Sequence, residues 1–272
     1  MNQQNFDFLV DAMDRLGFSH PQIEQQLKTK MTLGSPEFEI PGMKFSFDKD
    51  VVVFAAKFQK SEEKGDREAI YFLNGVKADI TMENGKSQKA EFTFFKQNTY
   101  NKNQMHKMML GRPVYKTPRG EEARWAKVDF KNTNDEGFSR VRNYLDSTTG
   151  FNLERELDKL QIPWANAQDK ANALTDLKNG EIISATYKVD GKRETQHIGV
   201  SPQIGGLTIY NDKGEVVKNT NTQSMEMMPE AGQSQNQSAG KKNDKLPEQT
   251  VQMMESMNED KNQGKGKSKK AS

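Results

Sequence analysis

The sequence predicts an α+β protein: antiparallel sheets with short helices, a C-terminal helix–hairpin unit and a disordered C-terminal tail. Three observations carry this. Residues 37–96 hold β-branched and aromatic runs punctuated by turn dipeptides, the pattern of an antiparallel meander. Residues 5–31 place apolar side chains at helical period, the pattern of amphipathic helices. After Lys218 there is no aromatic residue, and amides, Ser, Gly and Lys cannot offset chain entropy by burial.

Taken in order, Phe6, Leu9, Val10, Met13 and Leu16 share one helix face, and Gly17 suits the stop that follows. A second helix is expected with Ser19 or His20 as cap, Pro21 at its first position, and Ile23, Leu27 and Met31 inside. The pair is expected as a helical hairpin on the following sheet. As a DNA-reading helix-turn-helix it would offer only Gln22, Gln25, Gln26, Lys28 and Lys30, with Glu24 opposed. The meander is expected to hold four or five strands, broken at Pro41-Gly42, Asp48–Asp50, Asn74-Gly75 and Asn84-Gly85. Asn98 to Leu110 reads as a capped helix with Met105, Met108 and Met109 as core filler. Strands follow from Arg112, from Ala123 to Lys131 and from Phe138 to Tyr144; Asn152 caps a helix to Leu160. The helix Gln168–Lys178 ends at Asn179-Gly180. A strand to Val189, an Asp190-Gly191 turn, a return to Val200 and a short strand at Leu207–Tyr210 complete the ordered part. The expected divisions are 1–34, 35–163, 164–217 and the tail 218–272.

Composition bounds the chemistry. No cysteine is present, which excludes disulfides, thiolate nucleophiles and zinc–thiolate sites. The N-terminus lacks a basic segment and a long apolar run, so no signal peptide, no membrane span and a cytoplasmic location are expected. No phosphate-binding glycine loop and no nucleophile elbow occurs, and His20, His106 and His197 stand apart in the sequence, so neither cofactor nor metal is expected. Asp129-Phe130-Lys131 has the acid-x-Lys form of a nuclease strand end. Its nearest further acids, Glu121 and Glu122, open the same strand and are too distant to share a cation.

The charge is unevenly spread. The net charge is +2, but residues 102–142 carry ten Lys and Arg against five Asp and Glu, with Tyr100, Tyr115 and Trp125 interleaved. Cations that track phosphate beside aromatics that stack bases are how a sheet holds a single strand. The candidate nucleic-acid residues are Arg112, Lys116, Arg124, Lys127, Arg140 and Arg142. In the tail, Leu246 to Met257 spaces Leu246, Thr250, Met253 and Met257 helically behind Pro247, as a helix formed on a partner would.

Four runs, HKMMLGRPVYK, RWAKVDFK, GFNLERELDKLQI and the stretch from Leu177 to Asp212, resemble in that order an uncharacterised domain family carried on conjugative transposons and related mobile elements of anaerobic gut bacteria. The matching pieces are Gly111–Lys116, Trp125–Phe130, Phe151–Leu157, Leu177–Gly180 and Pro202–Tyr210; YFLNGVKADI also resembles the family's earlier strand pair. The family's Gly-Asn is inverted here to Asn179-Gly180. The resemblance carries over no activity and implies only a setting, an accessory protein of a mobile element; the expected function is a non-enzymatic accessory or adaptor protein with DNA or a DNA-processing protein as partner. The alternative is a pure protein–protein interaction module.

Overall fold

The computed structural model describes residues 1–62, 69–94, 99–189 and 192–220. The Asp190-Gly191 turn and residues 221–272, with Leu246–Met257, lie outside the described residues; the tail expected from 218 starts later, because Lys218 and Asn219 belong to the strand Val216–Asn219. The fold is α+β, and the chain divides into two compact units, Met1–Asn143 and Tyr144–Ser272. The N-terminal helices belong to the first unit. The segment 144–163 goes with the second, because Leu153 and Leu157 bury themselves against its sheet.

The first unit opens with α1 (Gln3–Arg15) and α2 (Pro21–Leu33). His20 caps α2 by accepting from the Gln22 N–H, Pro21 occupies the first helical position, and Gly34 ends the helix at φ 74°. Four strands follow, β1 (Glu37–Phe47), β2 (Asp50–Lys60), β3 (Tyr71–Thr81) and β4 (Ser87–Thr93). Next come α3 (Lys102–Met109), β5 (Val114–Lys116), β6 (Arg124–Thr133) and β7 (Ser139–Leu145). The sheet order is β1-β2-β3-β4-β7-β6-β5. The pairs β1–β2, β2–β3, β3–β4 and β5–β6 are antiparallel, whereas β4–β7 is parallel and needs the long connection through α3, β5 and β6.

Two expected turns are bulges inside strands. β1 runs through Pro41-Gly42, and its partners step from Ile40↔Ala56 to Met43↔Phe54. The extra residue shifts the alternation, so Phe38, Ile40, Met43 and Phe45 all face the helices. A proline without an N–H is tolerated there because β1 is an edge strand. β3 likewise runs through Asn74-Gly75, with one extra residue between Phe58↔Leu73 and Lys57↔Gly75. Gly75 is needed for close approach, not for a turn: a Cβ would sit 2.5 Å from the Phe92 carbonyl oxygen. Asp48 (φ 49°) and Gly85 (φ 78°) do form hairpin turns, as expected.

All three helices cover one face of this sheet. Leu9, Met13, Leu27 and Met31 meet Phe38, Ile40, Phe54, Phe58, Val76 and Ile80, all buried. Phe18 stands edge-on to Phe45 and Phe54, 5.7 and 5.1 Å between ring centres. Asn5 ties α1 to the start of β3: its side chain accepts from the Tyr71 N–H at 2.7 Å and donates to the Tyr71 carbonyl at 3.0 Å. An amide side chain here takes the place of a missing strand. Met105, Met108 and Met109 are fully buried on α3, each worth about 1.5–3 kcal/mol of apolar burial as an upper figure.

The second unit holds α4 (Asp146–Thr149), α5 (Leu153–Asp158), α6 (Ala167–Lys178), β8 (Ile183–Val189), β9 (Lys192–Ser201), a 3-10 turn at Pro202–Ile204, β10 (Gly206–Tyr210) and β11 (Val216–Asn219). Asn152 and Asn166 cap α5 and α6. The sheet order is β11-β10-β9-β8. Register puts Ile183, Ala185, Ile198, Val200, Leu207 and Ile209 on one face, all buried. Ser184, Thr186, Thr195, His197, Ser201 and Thr208 fall on the other.

Candidate functional site

The six candidate nucleic-acid residues do not share a face. Arg112 is buried, at 7 % exposure. Lys116 and Arg124 are cross-strand partners on the helix-covered side, the side of Val114 and Ala126. The Arg124 guanidinium donates to Glu121 Oε2 at 2.8 Å. Lys127 follows Trp125 on the opposite side of β6, where burial pushes its ammonium below the ordinary lysine range. Arg140 stands opposite Glu91 on that same outer side, and Arg142 follows two residues on; both are exposed. A two-residue alternation divides what a sequence count placed together.

Acids further neutralise the outer face. Lys57 binds Glu91, which also accepts from Asn134 at 3.0 Å. Lys77 bridges Glu39 at 2.9 Å and Glu136 at 2.7 Å; Lys89 meets Asp79 at 3.3 Å. The hydrogen bond that the Lys77 ammonium donates to Glu136 is the main cause that raises the Lys77 pKa, and it lowers that of Glu136 in return. A face of matched charges has little field left for phosphate. Asp129, the acid of the nuclease-like pattern, accepts from the Lys131 backbone N–H at 3.1 Å, and Glu121 is engaged by Arg124.

Two histidines that stand apart in the sequence have partners in space. His106 Nε2 lies 3.0 Å from Asp50 Oδ2, with the ring stacked on Phe47 at 4.3 Å. His197 lies between Ser184 Oγ, 2.9 Å from Nδ1, and Asp212 Oδ1, 3.2 Å from Nε2. Serine, imidazole and carboxylate in a hydrogen-bonded chain is the make-up of a nucleophilic triad, so its burial matters. An acting triad hides the carboxylate and presents the hydroxyl. Here the imidazole is 3 % exposed and the Asp212 side chain 67 %. The arrangement fits a clasp between strands and the turn after β10. It was readable in advance: a two-residue connection after Val189 sets Val189 opposite Lys192 and therefore Ser184 opposite His197.

A concave feature of the first unit lies elsewhere. A groove of about 900 Å³ runs between α1, the start of β3 and the start of α3. Phe8, Ala12, Arg15 and Leu16 line it from α1; Phe72, Leu73 and Asn74 line it from β3. Phe94, Thr99, Asn101, Gln104 and Lys116 complete it. Phe8 and Phe72 are 59 % and 48 % exposed, and they are the only exposed phenylalanines among the described residues. Every other described phenylalanine is at least partly buried, so two bare rings on one groove form a patch that ordinary folding does not require. Among the described residues its charged lining is Arg15 and Lys116, with no Asp or Glu.

The environment of Lys116 follows from the local fold. Asn101 caps α3 by accepting from the Gln104 N–H at 2.9 Å, and Gln104 reaches back to the Asn101 N–H at 3.4 Å. That fixes Gln104 Oε1 where the Lys116 ammonium donates to it at 3.3 Å. The same ammonium lies 5.3 Å from the centre of the Tyr100 ring. Its neighbours are thus an amide and an aromatic face, and burial pushes its pKa below the ordinary lysine range.

No family model, curated protein or solved structure matches this chain. Among the described residues, no three His, Asp or Glu side chains gather as a metal site, and no helix is long and apolar enough to cross a membrane.

Proposed function

We propose that the protein is a non-enzymatic binding protein, an adaptor, whose first unit holds a segment of a partner protein in the groove between α1, β3 and α3. One observation carries this reading: Phe8 and Phe72 stand bare on a groove whose charged side chains, Arg15 and Lys116, are both cationic. The scatter of the six basic candidates over two sides of the sheet and the interior favours a protein partner over nucleic acid. The accessory role on a mobile element that the resemblance implies belongs to the same proposal.

A fluorescent aromatic sulfonate such as bis-ANS, an apolar anion, tests the groove. The full chain is expected to bind it with a saturable site that Phe8→Ser with Phe72→Ser removes, with the circular dichroism spectrum unchanged. Binding that survives the double substitution overturns the reading. Labelled single- and double-stranded DNA at two salt concentrations tests the nucleic-acid alternative. Binding that weakens with salt and with charge reversal at Arg124 and Lys127 would replace the adaptor reading by that alternative.

A further inference from the structure

Resting on the groove as the binding site, we propose that its occupant is an acidic peptide segment of a partner protein, which sets apolar side chains on Phe8 and Phe72 and a carboxylate beside Lys116. Charge complementarity makes the argument. Among the described residues the groove is lined by two cations and no anion, and Asp7, Asp11 and Asp14 of α1 do not line it. Among the described residues Lys116 has no carboxylate partner: its hydrogen bond goes to the neutral Gln104 amide, and the Tyr100 ring lies beside it. A half-buried ammonium in that state is stabilised by an incoming carboxylate more than by any group the fold supplies. Burial that already disfavours the charged amine points the same way.

The remaining lining selects a peptide over a fatty or aromatic acid. Asn74, Thr99, Asn101 and Gln104 bring amide and hydroxyl groups to the groove. An extended or helical chain offers N–H and C=O groups for them, and a hydrocarbon acid offers none. Nucleic acid fits less well, because two cations on an apolar groove neutralise few phosphates.

A fluorescein-labelled peptide with the sequence LPEQTVQMMESMNED, residues 246–260 of this chain, is the probe. It carries Glu248, Glu255, Glu259 and Asp260, no basic residue, and the apolar Leu246, Val251, Met253, Met254 and Met257. The receptor is the full chain with those four acids changed to their amides, so that its own copy does not compete. Anisotropy is expected to show saturable binding, about tenfold weaker in Lys116→Gln and about tenfold weaker when the peptide's acids are amides. The two losses should overlap, since both remove one contact. Phe8→Ser and Phe72→Ser should weaken binding at unchanged salt dependence. Peptide binding that ignores Lys116→Gln, or an amide peptide that binds as well as the acid, overturns the inference. So does displacement of the peptide by dodecanoate at lower concentration than by unlabelled peptide. If bis-ANS enters the groove but the peptide does not bind, the acidic-peptide inference falls while the groove reading stands.

Discussion

The two sheets meet one problem in different ways. Each buries one face on helices and must do something with the other. Over β1–β4 the seven-stranded sheet covers its second face with ion pairs open to water, such as Lys77 with Glu39 and Glu136. The four-stranded sheet covers its second face with short hydroxyls and an imidazole that are themselves buried: His197, Ser201 and Thr208 are 2 %, 8 % and 6 % exposed. Ser201 and Thr208 hydroxyls share a 2.6 Å bond, and Thr208 donates to Asn219 at 2.9 Å. The difference teaches where each face is fragile. Exposed pairs contribute little and are screened by salt. Buried hydroxyls contribute little as pairs, yet breaking one pair strands the other group without water.

The glycines on the two second faces give the widest expected contrast. A methyl at Gly75 would meet backbone, the Phe92 carbonyl at 2.5 Å, and backbone in mid-sheet cannot step aside. Gly75→Ala is expected to destabilise the first unit by about 3 kcal/mol or more. A methyl at Gly199 would meet the edge of the Tyr210 ring at 3.3 Å, and a side chain can turn. Gly199→Ala is expected to cost the second unit about 1 kcal/mol. Hydrogen exchange read separately on β3–β4 and β9–β10 checks both. Equal losses would break the distinction between blocked backbone and yielding side chain.

His197→Leu comes next. It leaves the Ser184 hydroxyl without its 2.9 Å partner and frees the turn that Asp212 anchors, at a cost of about 2–3 kcal/mol to the second unit. Asp212→Asn should cost well under 1 kcal/mol, because its side chain is largely in water. Urea unfolding followed by the exchange of β8–β10 amides measures both. A large effect at Asp212 would mean that the carboxylate, not the buried imidazole, holds the clasp.

Lys77→Met on the first sheet is expected to change stability by less than about 1 kcal/mol, and the change should vanish at high salt. The pH dependence has a fixed sign. Lys77 holds the Glu136 carboxyl below its ordinary value of 4.5, so this pair's contribution is present above that value. It is lost as pH falls through the depressed value of the folded state. Acid titration of the first unit in the presence and absence of 0.5 M salt reads it. A salt-insensitive loss would show that the pair is less open to water than its exposure indicates.

Local chemistry was legible in the sequence where a single residue type satisfies a single backbone need. His20 before Pro21 and Asn152 before α5 cap as expected, whereas α3 takes its cap from Asn101, inside the expected helix Asn98–Leu110. The methionines of α3 lie inward at the spacing that predicts it. Pro41-Gly42 and Asn74-Gly75 misled because the residues that favour a turn also favour a bulge, and only the partner strand's register tells them apart. The parallel β4–β7 pair is a long-range choice with no local mark. The candidate site was the least legible part. Arg112, Lys116, Arg124 and Lys127 are close in sequence, but strand alternation and burial separate them. The groove draws Phe8, Phe72 and Lys116 from three elements whose adjacency no spacing announces.

Lys116 gives the smallest expected effect on stability and the sharpest test of what the groove is for. Burial disfavours its charged form, so the folded-state pKa lies below the unfolded one. The charged amine therefore costs stability below the folded value. That cost fades as pH rises from the depressed value toward the ordinary 10.5. Lys116→Met keeps the stem against Tyr100 and removes the charge, so it should stabilise the first unit by under about 1 kcal/mol at neutral pH and flatten the alkaline rise. Lys77 on the outer face behaves oppositely, since it stabilises where it is charged. A substitution that strengthens the fold and weakens acidic-peptide binding marks Lys116 as a residue kept for recognition. If Lys116→Met instead weakens the fold, the ammonium's contacts to Gln104 and Tyr100 are structural, and the groove's cationic character is a by-product of packing.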